Sequence, residues 1–178
     1  MPAIRSTGRN RKPPPAGFED IEDTLLEFSN KMKDAQSAPH EGKKKHETLW
    51  PIIQISHQRS RYIYELYYTK SAISKALYEY LVKNNYADAA LMAKWKKQGY
   101  EKLCCVKCIQ TKETNFSSTC ICRVPKATLE RGEGEAAGGG DGEDATTAVA
   151  GGRGGGGGGG GKVIQCVNCG CRGCASAD

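Results

Sequence analysis

Every cysteine of this 178-residue chain lies between Cys104 and Cys174. The nine thiols form two groups, Cys104-Cys105-x-x-Cys108 with Cys120-x-Cys122, and Cys166-x-x-Cys169-x-Cys171-x-x-Cys174. Repeated C-x-x-C pairs present soft thiolate donors to a tetrahedral metal such as zinc. A disulfide framework would require an oxidising compartment. The first twelve residues are basic and lack the apolar run of a secretory signal. No stretch is long and apolar enough to span a bilayer. The spacing therefore predicts zinc sites in a soluble intracellular protein. A dithiol catalyst would place its C-x-x-C at a helix start after a strand, and neither group has that context.

Coordination arithmetic refines the expectation. Four thiolates complete one tetrahedral zinc, so two separate sites would leave one cysteine spare. Sulfurs of an adjacent pair (Cys104, Cys105) or a C-x-C pair (Cys120/Cys122, Cys169/Cys171) diverge and suit neighbouring metals. Three zincs require twelve bonds, which nine thiolates supply if three of them bridge. The preferred expectation is thus one shared three-zinc cluster on Cys104, Cys105, Cys108, Cys120, Cys122, Cys166, Cys169, Cys171 and Cys174. Two ordinary four-cysteine sites with a free thiol are the alternative. A shared cluster would be net negative. Lys102, Lys107, Arg123, Lys126, Lys162 and Arg172 lie close enough in sequence to offset it.

The elements that must position these groups read as helices. Acidic residues crowd a first turn from Asp20, and Ile21, Leu25, Phe28 and Met32 recur at helical spacing as far as Pro39. A polar, basic connector, His40-Glu41-Gly42-Lys43-Lys44-Lys45-His46, follows. Pro51 suits the first turn of a second helix, with a stripe of Ile52, Ile55, Arg59, Tyr62, Ile63, Leu66 and Tyr67. Ser71 is the expected cap of a third helix, which Asn84-Asn85 ends. Asp88 is the expected cap of a fourth, running through Trp95 to Gly99. His57 is expected to be a structural hydrogen bonder, since thiolates are plentiful. The tyrosines fall mostly at core spacing, which favours packing over base stacking.

Charge is concentrated. Residues 51–110 hold ten Lys/Arg against four Asp/Glu, which accounts for the whole net charge of +6. A basic surface of that kind favours nucleic-acid phosphates. No Ser/His/Asp or Cys/His arrangement, paired carboxylates or phosphate-binding glycine loop is present, so no enzyme is expected. The expected organisation is mainly α: a disordered basic, proline-rich arm (1–17), a helical region (18–103), and a small irregular multi-zinc cysteine domain (104–130 and 162–178). A glycine-rich, net-acidic stretch (131–161) interrupts that domain as a disordered insertion.

Several strings are shared with a known family. They include Pro39-His40-Glu41-Gly42-Lys43, Leu49-Trp50-Pro51-Ile52, His57-Gln58-x-x-Arg61-Tyr62-Ile63 and Ala93-Lys94-Trp95-Lys96-Lys97-Gln98-Gly99-Tyr100-Glu101. Cys120-Ile121-Cys122-Arg123-Val124-Pro125-Lys126 and Cys169-Gly170-Cys171-Arg172-Gly173-Cys174 continue the match. The chain resembles the bud-site-selection thirty-one, or G-ten, family of nuclear spliceosomal zinc proteins, from about Gly17 to the end apart from the glycine run. The resemblance implies a non-enzymatic, monomeric subunit of the spliceosome in the nucleus. It implies neighbouring splicing proteins and RNA as partners, with no membrane and no small-molecule substrate. Family members are also linked to transcription, so the alternative is a zinc-dependent transcription co-regulator acting through protein contacts. Charge, rather than the resemblance, assigns RNA contacts to Arg61, Lys94, Lys96, Lys97, Arg123 and Lys126. The family joins its cysteine groups by a short link, so residues 131–161 are an addition expected to project into solvent.

Overall fold

A computed structural model describes residues 13–113, 118–128 and 165–177. Among them the chain is helical and contains no strand. Residues 1–12 of the expected arm (1–17) and the glycine-rich stretch over 131–161 lie outside the described residues.

Helix α1 (Glu19–Ser37) carries Glu19, Asp20 and Glu22 in its first turn, where the helix dipole favours negative charge. Its stripe buries Ile21, Leu25 and Met32. It stops where Ala38 turns extended (ψ 139°), the conformation that a following proline imposes. Helix α2 (Trp50–Tyr64) begins with Pro51 in its first turn and packs along α1. It buries Ser60 and Ile63.

The second helix runs on as a π-helical turn, Glu65–Thr69, before the chain reverses. The reversal puts Ser71 in the left-handed region (φ 49°) and bonds the Ala72 N–H to the Leu66 carbonyl. Ser71 therefore cannot cap the next helix. Ser74 does so instead, its extended backbone letting the hydroxyl accept from the Leu77 N–H. Helix α3 (Lys75–Lys83) ends at Asn84, with Asn85 left-handed (φ 59°). Asp88 caps α4 (Ala89–Trp95), its carboxylate accepting from the N–H groups of Ala90 and Leu91. This helix is shorter than the sequence suggests. It closes at Trp95, and Gly99 (φ 84°) serves the turn beyond.

The core forms where α1, α3 and α4 meet Ile63 of α2. Leu25, Ile63, Leu77, Leu81 and Met92 are fully buried there. Phe18 packs edge-on against Tyr80 (5.9 Å) and Tyr86 (6.3 Å). The tyrosines largely pack on one another, as Tyr67 does on Tyr78 at 4.3 Å. Ser60 ties two elements together. Its hydroxyl donates to the Ser56 carbonyl (2.8 Å) and accepts from the Asp88 N–H (3.0 Å) at the start of α4. The same apolar core continues into Leu103 and the cysteines.

Candidate metal centre

The cysteine segment has little regular structure, so its shape depends on anchors to the helices. The Trp95 indole N–H donates to the Leu103 carbonyl (2.9 Å) in the buried interior. That bond fixes the point from which Cys104 and Cys105 enter. A 3-10 turn, Val106–Ile109, carries Cys108 back beside Cys105. A second, Ile121–Arg123, is entered from Cys120 and contains Cys122. The Cys174 N–H donates to the Cys122 carbonyl (2.7 Å) and stitches the two sequence groups together.

The second group is a tight hairpin. The Cys166 N–H donates to the Cys171 carbonyl (2.9 Å), and the Gly170 N–H to the Cys166 carbonyl (2.7 Å). Trp50, at the start of α2, holds this hairpin through its indole N–H on the Val167 carbonyl (2.8 Å). Gln54 adds a bond to the Cys169 carbonyl (3.3 Å). Gly170 lies so close to the indole that a β-carbon there would stand 2.6 Å from it, and its φ is 71°. Only glycine satisfies both conditions.

All nine thiols are free of disulfides. They gather into three sets of four: Cys104, Cys105, Cys108, Cys169; Cys104, Cys122, Cys171, Cys174; and Cys108, Cys120, Cys122, Cys166; a further group of three, Cys166, Cys169 and Cys171, takes one sulfur from each set. Any two of the sets of four share one sulfur, namely Cys104, Cys108 or Cys122. Neighbouring sulfurs stand 3.4 Å apart for Cys105 and Cys108, 3.5 Å for Cys120 and Cys166, 3.6 Å for Cys108 and Cys166, and 3.8 Å for Cys104 and Cys122. A tetrahedron with metal–sulfur bonds of about 2.3 Å has edges of about 3.8 Å, whereas a disulfide is about 2.05 Å. The donor set and its spacing fit metal ions. Groups able to hold a metal consist of cysteines alone among the described residues.

Electrostatics lead the same way. Contact with Cys105 pushes the Cys104 thiol up, while contact with Cys104 holds Cys105 below the ordinary thiol range. Burial pushes Cys120 up to about 12. Thiolates this close repel one another, and a bound cation would let all nine ionise together. Two protein groups already lean on the sulfurs. Asn168 Nδ2 is 3.9 Å from Cys120 Sγ, and Arg123 Nη1 is 3.8 Å from Cys174 Sγ.

His57 belongs to none of these sets. Its ring meets Trp95 edge-on at 5.2 Å. Burial holds its imidazole below the usual range, against a hydrogen bond with the Leu103 backbone.

The basic residues divide in two. Arg123 donates to the carbonyls of Cys174 and Gly99 and lies over Tyr100 (4.9 Å). Arg61 pairs with Glu65 (3.0 Å), donates to the Glu101 carbonyl (3.1 Å) and covers the ring of Trp95 (5.2 Å). Lys96, Lys97 and Lys126 are exposed, with the Lys96 ammonium 4.4 Å over Tyr68. Lys94 is half-buried beside Tyr100 (6.0 Å). Lys162 is outside the described residues. The seats of the hairpin, Trp50 and Gly170, carry no signal in spacing or charge. A tryptophan before a helix-starting proline and a glycine between two cysteines are the only traces they leave.

The family model for "Pre-mRNA-splicing factor BUD31" matches residues 1–176. "Pre-mRNA-splicing factor BUD31" of Saccharomyces cerevisiae is 51% identical over 180 residues, covering 100% of both chains. "Pre-mRNA-splicing factor cwf14" of Schizosaccharomyces pombe is 47% identical over 178 residues, again covering 100% of both. "Protein BUD31 homolog" of Branchiostoma belcheri is 50% identical over 175 residues, covering 98% of this chain and 99% of that one.

Proposed function

This chain belongs to the BUD31 family of pre-mRNA-splicing factors, and from that premise we propose that it is a non-enzymatic structural subunit of the spliceosome, acting in the nucleus. Its partners are other splicing proteins and RNA. Family membership carries this reading. The chemistry is consistent with it: every thiol, the chain's strongest nucleophiles, falls in the metal-capable sets. Nothing in the fold or in the relatives' names favours the transcription co-regulator alternative.

In this reading the nine cysteines hold three zinc ions as one cluster, with Cys104, Cys108 and Cys122 bridging. The pairwise sharing of one sulfur between sets supports a shared cluster over two separate sites. Zinc supplies no catalysis here; it cross-links the segment. The protein's own part is to bring residues 104–113, 118–128 and 165–177 against the helical region through Trp50, Gln54, Trp95 and Arg123. The cysteine segment is then a unit docked on the helical region.

The basic residues Arg61, Lys94, Lys96, Lys97, Arg123 and Lys126 form the RNA-facing set. Lys96, Lys97 and Lys126 reach phosphates directly, while the two arginines brace the same surface from within. Purification of the chain from nuclei tests the role. Spliceosomal small nuclear RNAs should accompany it, and their absence would refute it. The triple charge reversal Lys94→Glu, Lys96→Glu, Lys97→Glu should lower RNA crosslinking and make the salt dependence shallower. An unchanged yield would exclude these lysines.

A further inference from the structure

A second surface lies on the connector between α1 and α2, on residues that neither the cysteine sets nor the RNA-facing set uses. Its backbone is fastened at every turn. The Lys43 N–H donates to the His40 carbonyl (3.2 Å) and the Lys44 N–H to the Glu47 carboxylate (3.0 Å). The Thr48 hydroxyl donates to the Lys45 carbonyl (2.8 Å). The side chains of Lys43, Lys44 and Lys45 are nevertheless exposed. The ion pairs formed among the described residues use other cations. Glu47 is turned toward the Lys44 N–H and His46.

Apolar side chains adjoin this basic edge. The His46 ring lies 5.5 Å from Trp50, and Trp50 bonds to Val167. Leu49, which precedes that tryptophan, and Val167, whose carbonyl receives its indole N–H, are 49% and 59% exposed. Leaving two aliphatic side chains in water beside a rigid tryptophan gives up free energy that a partner would recover.

We infer that this surface docks an acidic segment of a partner protein that carries a large apolar side chain. The apolar residue sits on Leu49 and Val167, and its flanking carboxylates meet Lys43, Lys44 and Lys45. Charge complementarity selects an acidic partner. The aliphatic pair selects protein over RNA, because bases stack on aromatic faces and the Trp50 ring is already packed against Gly170. The inference goes beyond the splicing role proposed above and involves different residues.

The test uses the full chain in nuclei, with a photo-crosslinking residue in place of Val167 and the crosslinked segment identified by mass spectrometry. The crosslink should map to a net-acidic protein segment with a large apolar residue. Its yield should fall about tenfold or more in Leu49→Ser and in the triple variant Lys43→Glu, Lys44→Glu, Lys45→Glu. Protected thiols in each variant verify that it is folded. A crosslink to RNA, to a neutral or basic segment, or to residues 129–164 of the chain itself would overturn the inference. So would no crosslink, or a yield that the variants leave unchanged. Small nuclear RNAs are measured in the same samples. Their loss from the unsubstituted chain counts against the splicing role, whereas the docking stands or falls on the crosslink.

Discussion

The helical region and the cysteine segment share one core but are held by different physics. In the first, Leu25, Ile63, Leu77 and Leu81 are withdrawn from water on helices whose stripes face inward. Each such side chain contributes about 1.5–3 kcal/mol by burial. In the second, the buried residues are chiefly the cysteines themselves, and only Cys108 and Cys122 of these lie in short 3-10 turns. Unpaired buried thiols give such a segment little reason to stay folded. On the proposed metal assignment the helices should form without metal, while the cysteine segment should take its order from metal and from a few anchoring hydrogen bonds.

The sharpest way to break this contrast is to remove sulfurs of the two kinds. Cys104→Ser takes a donor from two sets and Cys105→Ser from one. Native mass spectrometry should show the first losing more metal than the second. Bound structural zinc is worth about 10 kcal/mol or more, so both should unfold the cysteine segment more readily than any substitution in the helices does. Equal losses would mean that Cys104 does not bridge.

Next in size is a cavity in the helical core. Leu25→Ala should cost about 2–5 kcal/mol in denaturant unfolding of the metal-loaded protein, with metal content unchanged in native buffer. Loss of metal along with the helix would show that the two regions unfold as one unit.

A smaller effect is expected at the seam. Gly170→Ala sets a β-carbon 2.6 Å from Trp50 at a left-handed φ. It should cost about 1–3 kcal/mol and speed zinc loss to a chelator, leaving the helical circular dichroism intact. A release rate equal to that of the unsubstituted chain would show that the hairpin does not rely on Trp50.

The two regions also differed in how legible they were. Helical stripes and the caps at Asp88 and Asn84 follow from residue type, because periodicity and cap chemistry are local. The misplaced cap at Ser71 has a tertiary cause. Helix α2 overruns into a π-helical turn, and that turn imposes a left-handed backbone on Ser71 and moves the cap to Ser74. Similarly, α4 stops at Trp95, which donates to Leu103 across a turn. In the cysteine segment, spacing and coordination arithmetic pointed to sulfur sharing, and Cys104, Cys108 and Cys122 each lie within reach of two of the sets of four. The seating of Trp50 on Gly170 joins residues 120 positions apart, beyond the reach of any local pattern. The guanidinium contacts of Arg61 and Arg123 were hidden for the same reason. Sequence shows a charge, and only packing shows whether a carbonyl or solvent receives it.

The central claim is that nine thiolates hold three zincs in one shared cluster. Native mass spectrometry of the reduced, full-length chain, coupled to thiol alkylation with and without chelator, tests it most directly. The account expects three bound zincs and alkylation of all nine cysteines only after chelation. Two zincs with one cysteine alkylated beforehand would contradict the shared cluster, and a metal-free, folded protein would contradict the zinc assignment altogether.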